Sequence, residues 1–238
     1  MKELGVMFIM NNSTRLQYLE AMGIDVWVPR MAGQVEEFKP VVKIDLQETE
    51  QTGLEQDNWQ DLEQEVAACQ LCGLCETRTQ TVFGSGNQNA DWMLISEAPG
   101  HNEDLQGEPF VGPAGKLLTE MIRAIGLERD AVYIANIIKC RPPNNRDPKI
   151  EEVKTCNDYL KRQIKLVKPK IILAVGSVAA QTLLETDKPL SKLRGVPQQL
   201  AGIPLVVIYH PAYLLRSLIE KRKAWQDLQL AMKQIEKK

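Results

Sequence analysis

The 238-residue chain has no apolar run long enough to cross a bilayer, which takes about 20 consecutive apolar residues. Its opening apolar stretch, LGVMFIM, is shorter than the apolar region of a secretory signal, and no small-residue cleavage site follows it. A membrane location is therefore not expected, and the chain reads as cytoplasmic. Internal repeats are lacking too. Net charge is nearly absent, −2 with a pI near 5.9, which on its face argues against a nucleic-acid partner. The average conceals an asymmetry. Residues 1–66 carry 5 Lys+Arg against 13 Asp+Glu, a net of −8, whereas residues 67–238 carry 24 against 18, a net of +6. A basic body with an acidic extension permits phosphate binding by the body. Cysteine is scarce, five in all, and three of the five crowd into CQLCGLC at 69–75. In a reducing compartment such a cluster holds metal more often than disulfides. The two cysteines outside that cluster do not form a separate C-x-x-C, which excludes a zinc ribbon.

What is present is an ordinary globular profile, 44% hydrophobic and 25% charged, long enough for one domain and an extension. Residues 1–58 form the acidic extension. Within it RLQYLEAMGIDVW places Leu16, Leu19 and Met22 on one side of a short helix that stops at Gly23, and residues 32–58 turn polar and acidic, as a linker does. A helix over about 59–69 leads into the cysteines and opens the second unit, 59–238. Strands are expected at 91–96, 131–138, 170–176 and 203–210, and helices at about 114–126, 149–167, 177–185 and 211–236. Short continuous apolar strands alternating with helices argue a parallel sheet covered on both faces. The expected fold is an α/β, three-layer α/β/α sandwich with a central four-stranded parallel sheet. In such sheets ligands bind outside the carboxyl ends of the strands. The segments there are EAPGHNEDLQGEPFVGPAG, Asn136 with KCRPPNNRDP, Gly176–Ser177, and His210–Pro211.

The two remaining cysteines, Cys140 and Cys156, lie after the second strand and in the following helix. A C-x-x-C knuckle and two separate thiolates can complete a four-sulfur site, suited to zinc or to a [4Fe–4S] cluster. Simple burial of Cys140 and Cys156 is equally compatible with the spacing.

Several blocks then occur together: CQLCGLCETRT, SEAPGHNEDLQGEPFVGPAG, NIIKCRPPNNRDP, EEVKTC and HPAYLLR. By their order and spacing, residues 69–216 resemble the family 4 uracil-DNA glycosylases, the iron–sulfur branch of the uracil-DNA glycosylase superfamily. The resemblance implies an α/β/α sandwich and a [4Fe–4S] cluster on Cys69, Cys72, Cys140 and Cys156, with Cys75 outside the ligand set. It implies that a flipped uracil stacks on Phe110 and meets the Asn136 amide, which offers a donor and an acceptor together. Glu103 would exclude a thymine methyl, and the Ala98–Gly100 turn would supply backbone groups. His210 would donate to the uracil oxygen where charge develops, while Glu97 and Asn145 hold the attacking water, Glu97 with some power to deprotonate it. Ala98 stands where the wider superfamily often has an acid, so no strong general base is expected. Tyr213, Leu214 or Leu215 of PAYLLR would fill the gap left by the base, and Lys139, Arg141, Arg146 and Arg216 would meet phosphates. Ser96 replaces the family's usual Gly. No Lys is placed for Schiff-base chemistry.

The expected partner is uracil-containing DNA, single- or double-stranded, bound by a monomer that releases uracil and leaves an abasic site. LQYLEAMGIDVWVPR is similar to the N-terminal peptide of the psi subunit of bacterial DNA polymerase III, which implies a docking segment at 13–30 for a replication protein. A cluster-containing DNA-binding relative whose activity is lost or altered, working at replication forks through that extension, is the rival expectation; a zinc-holding version of the same fold is a third.

Overall fold

The computed structural model describes residues 58–236. The expected short helix and docking segment at 13–30 and nearly all of the acidic linker lie outside the described residues.

Helix α1 (Trp59–Ala68) starts on Asn58, whose side-chain oxygen accepts from the Asp61 N–H at 2.8 Å and so satisfies one of the helix's free donors. Leu62 and Val66, four residues apart, are fully buried. Beyond the cysteines a six-stranded sheet is built from β1 (Ser85–Gly86), β2 (Trp92–Ser96), β3 (Tyr133–Asn136), β4 (Ile171–Val175), β5 (Gln198–Leu200) and β6 (Ile203–Ile208), in the order β1-β3-β2-β4-β6-β5. The four central strands are parallel, as expected; β1 and β5 pair antiparallel at the two edges. The four-strand expectation is thus enlarged to six. The edges escape notice in the sequence because they have only two and three residues, none of them buried, and carry no apolar alternation.

Successive strand residues point to opposite faces, and the two cores follow from that. Met93, Ile95, Ala135, Ile172, Ala174 and Val207 face one core with α1, α4 (Ile150–Val167), α5 (Ser177–Leu183) and α6 (Leu190–Leu193). Leu94, Ile134, Leu173, Val175, Val206 and Ile208 face the other with α3 (Pro113–Ala124), α7 (Pro211–Arg216) and α8 (Lys221–Ile235). Helix α2 (His101–Gln106) is short, was not expected, and ends on Gly107 at φ +78°. The single helix expected over 211–236 is two, α7 and α8, joined by a 3-10 turn at Leu218–Glu220, because Ser217 leaves the helical region at φ −129°, ψ 75°.

The chain leaves β2 toward α3 on one face and leaves β3 toward α4 on the other. Adjacent parallel strands whose connections part in this way open a crevice at their carboxyl ends. Ser96 and Asn136 are register partners at that point.

Candidate active site

One cavity of about 510 Å³ lies there, within the range of small-molecule sites. Glu97, Ala98, Gly100, Glu103, Phe110, Asn136, Asn145 and His210 all line it, together with Ser96, Arg146, Asp147 and Arg216. The structure therefore gathers every residue expected at a base or a water, drawn from the ends of β2, β3 and β6.

His210 closes β6 and caps α7. Its Nδ1 accepts from the Ala212 N–H at 3.1 Å, so the neutral ring carries its proton on Nε2. Burial, assisted by the charge of Arg216 and opposed by Glu103, pushes its pKa down to about 4, which keeps it neutral at physiological pH. Tyr209, just before it, lies under the Arg194 guanidinium at 4.0 Å, and Arg194 donates to Asp227 at 2.7 Å, which anchors the end of β6.

Phe110 stacks beside His210, ring centroids 5.5 Å apart and planes 28° from parallel. It sits at φ 55°, a backbone region that bulky residues avoid. Two contacts hold it there. Glu103 accepts from the Val111 and Gly112 N–H groups at 3.1 and 3.4 Å. Gly115 lets α3 pass so close that a Cβ would overlap the Phe110 carbonyl oxygen. Glu103 is therefore a brace of the Phe110 loop.

Asn136 is 2% exposed. Its carbonyl accepts from Lys139 Nζ at 2.7 Å, and the same ammonium donates to Gln163 at 2.6 Å. Lys139 is 1% exposed, which corrects the expectation that it meets phosphate: it is an interior brace between the crevice and the cysteines. Burial pulls its pKa down to about 8 against the pull of Cys156 and Cys140.

Asn145 stands at φ 52° at the end of a 3-10 turn (Pro143–Asn145). Its Oδ1 accepts from Arg141 Nε at 2.7 Å, which leaves the amide nitrogen to face a ligand. Arg141 also contacts His101 Nδ1 at 3.0 Å. Arg146 holds Glu152 through both terminal nitrogens at 2.9 and 2.6 Å, and lines the cavity wall. Arg216 lies exposed at the mouth. Leu214, expected as a candidate DNA wedge, is 1% exposed and belongs to the core; Tyr213, Leu215 and Arg216 are the exposed members of α7.

Asp147 was not foreseen. It lines the crevice with Glu97, and Glu97 is raised to about 7, by burial first and by the nearby Asp147 second. The only sequence signal was an acid directly after the NNR turn, in a loop facing Glu97.

The five cysteines are all unpaired and line a second cavity, with Arg78, Lys139 and Tyr159. Arg78 donates to the Cys140 sulfur at 3.0 Å and to the Cys69 carbonyl at 2.8 Å; the Lys139 N–H points at the Cys156 sulfur at 3.3 Å. Donors aimed at sulfur suit thiolates that bear negative charge. Among the described residues, no three His, Cys, Asp or Glu side chains converge on a single ion. No helix among them is long and apolar enough to cross a membrane.

Residues 83–229 match the family model of the uracil DNA glycosylase superfamily. The chain is 45% identical over 163 residues to a Type-4 uracil-DNA glycosylase of Archaeoglobus fulgidus, covering 65% of this chain and 82% of that protein. It is 44% identical over 168 residues to one from Sulfurisphaera tokodaii, covering 67% and 76%. It is 40% identical over 176 residues to one from Thermotoga maritima, covering 72% and 92%.

Proposed function

The chain belongs to the uracil DNA glycosylase superfamily, and from that premise we propose that it hydrolyses the N-glycosidic bond of uracil in DNA, releasing the base and leaving an abasic site. The observation that carries the reading is the His210–Phe110 pair in the strand-end crevice: a neutral imidazole whose tautomer is fixed, beside a flat apolar ring held in a strained backbone. An extruded base lies on Phe110 with its polar edge toward the Asn136 amide. As the bond to the sugar lengthens, the electron pair moves onto uracil, and the Nε2–H of His210 donates to the oxygen that gains the charge. A pre-aimed donor in a water-poor pocket is worth about 10²–10³ in rate. Because the ring starts neutral, that hydrogen bond strengthens as charge develops. The nucleophile is a water held by the Asn145 amide nitrogen and by Glu97. Arg141 fixes the Asn145 amide, and Arg216 at the mouth serves the phosphate backbone.

The thiols of Cys69, Cys72, Cys140 and Cys156 would hold a [4Fe–4S] cluster. The four thiols line one cavity, as a four-sulfur site requires. When bound, the cluster would tie α1 to the β3–α4 segment, a structural rather than a chemical service.

The test is excision of uracil from a labelled oligonucleotide in single- and double-stranded form. Wild type is expected to release uracil, and His210→Ala and Asn145→Ala to slow single-turnover release, His210→Ala by about 10²–10³. Absence of release from both strand forms would sink the reading and favour a relative that binds DNA without cutting it.

A further inference from the structure

Seven polar or charged residues are buried among the described residues. Five have bonded side chains: Asp104 accepts from the Thr79 N–H, Lys139 donates to Gln163, Arg146 to Glu152 and Arg194 to Asp227. The other two are Ser96 and Asn136, whose side chains have no hydrogen-bond partner among the described residues. Buried polar groups are bonded almost without exception, so an unbonded pair calls for a partner from outside the protein. Both line the crevice, and neither side chain is sealed from it.

Ser96 ends β2, Asn136 ends β3, and the two are register partners. Their side chains therefore stand side by side, about 5 Å apart across the sheet. They continue the face of Leu94 and Ile134, which is the face on which Phe110 packs. The Ser96 backbone is held, its carbonyl accepting from the Ile137 N–H at 2.8 Å. Each residue is 2% exposed, so together they form the floor of the crevice. A base enters hanging from its sugar by N1. O4, across the uracil ring from N1, therefore goes in deepest.

We propose that Ser96 is a specificity-determining residue for the base: its hydroxyl donates to uracil O4 beside the Asn136 amide. The inference rests on the glycosylase reading and deepens it. A carbonyl oxygen has two lone pairs and takes both donors, the Asn136 amide nitrogen and the Ser96 hydroxyl, while the Asn136 oxygen accepts from N3–H. In this way each of the two unbonded side chains gains its partner only when the base is in place.

Single-turnover excision from matched single-stranded oligonucleotides carrying uracil or 4-thiouracil tests this, because sulfur in place of O4 is a poor acceptor. Ser96→Ala is expected to lower the rate over half-saturation on the uracil strand by about three- to tenfold, the worth of one neutral hydrogen bond. On the 4-thiouracil strand the same variant is expected to lose much less. Ser96→Gly removes the same oxygen and is expected to repeat the pattern. Since no hydrogen bond within the protein is lost, Ser96→Ala is expected to melt no lower than wild type. Equal losses on the two strands would make Ser96 a structural residue, and no loss on either would leave its hydroxyl without a part in base binding; each result overturns this inference alone. Absence of uracil release by the wild type overturns the glycosylase reading, and this inference with it.

Discussion

Burial raises Glu97 from 4.5 to about 7, so the folded protein holds on to a proton that the unfolded chain gives up. The favourable contribution of protonated Glu97 is complete below pH 4.5 and is lost as pH rises through 7. His210 runs the other way: depressed from 6.5 to about 4, its contribution is present above 6.5 and is lost as pH falls through 4. The two windows overlap with opposite signs, so the wild-type pH profile alone separates neither. The variant does. Glu97→Gln is expected to melt higher than wild type at mildly alkaline pH, by ~2–4 °C for each kcal/mol recovered, and to melt alike near pH 4.5. Equal melting temperatures at alkaline pH would show that Glu97 ionises freely in the fold. The residues of this site differ in how far the sequence announces them. Glu97, Asn136 and His210 sit at strand ends, where topology alone directs attention. Asp147 joins the crevice only because the fold brings it beside residues fifty positions earlier in the chain, and Lys139 looks like a surface charge until the fold buries it on the Asn136 carbonyl.

Helix α7 separates two functions between adjacent leucines. Leu214 is 1% exposed in the core under α3 and α8, while Leu215 is 43% exposed and Tyr213 37%. Leu214→Ala is expected to destabilise the fold by about 2–5 kcal/mol, the range for emptying a core leucine site, measured by chemical denaturation. Leu215→Ala is expected to leave stability unchanged and to slow excision from duplex DNA relative to single strands, since only the duplex must be unstacked at a cost of a few kcal/mol. Equal slowing on both substrates would deny Leu215 a part in base extrusion. The sequence could not divide this pair, because both leucines suit a helix and only the packing of α7 tells which one faces inward. The same limit applies to β1 and β5. The central strands are legible from their unbroken apolar runs, whereas the edges are made by pairing with β3 and β6 and have no pattern of their own.

At the scale of the whole molecule, the cysteine cavity joins segments far apart in the chain: the end of α1, the turn at 69–76, the segment 138–140 after β3 and the middle of α4. Lys139 links that cavity to the crevice, with its backbone N–H on Cys156 and its ammonium on the Asn136 carbonyl. A group bridging the four thiols would therefore stabilise the folded state by closing long loops, and without it the Lys139 ammonium would keep only its neutral partners, the Asn136 carbonyl and Gln163. Burial first, opposed by Lys139 and helped by Cys140 and Cys69, pushes the Cys156 thiol up to about 11, so without a bound group the thiol keeps its proton. Cys75 lines the same cavity, so position does not by itself exclude it as a ligand. Its variant decides. Cys75→Ser is expected to purify with iron, sulfide and broad visible absorbance intact. Cys156→Ala is expected to lose all three and to unfold at lower denaturant concentration, with any soluble fraction still preferring uracil over thymine. Loss of iron from Cys75→Ser equal to that from Cys156→Ala would overturn the four-ligand assignment, and a stable Cys156→Ala protein with altered base preference would move the cluster from scaffold to active site.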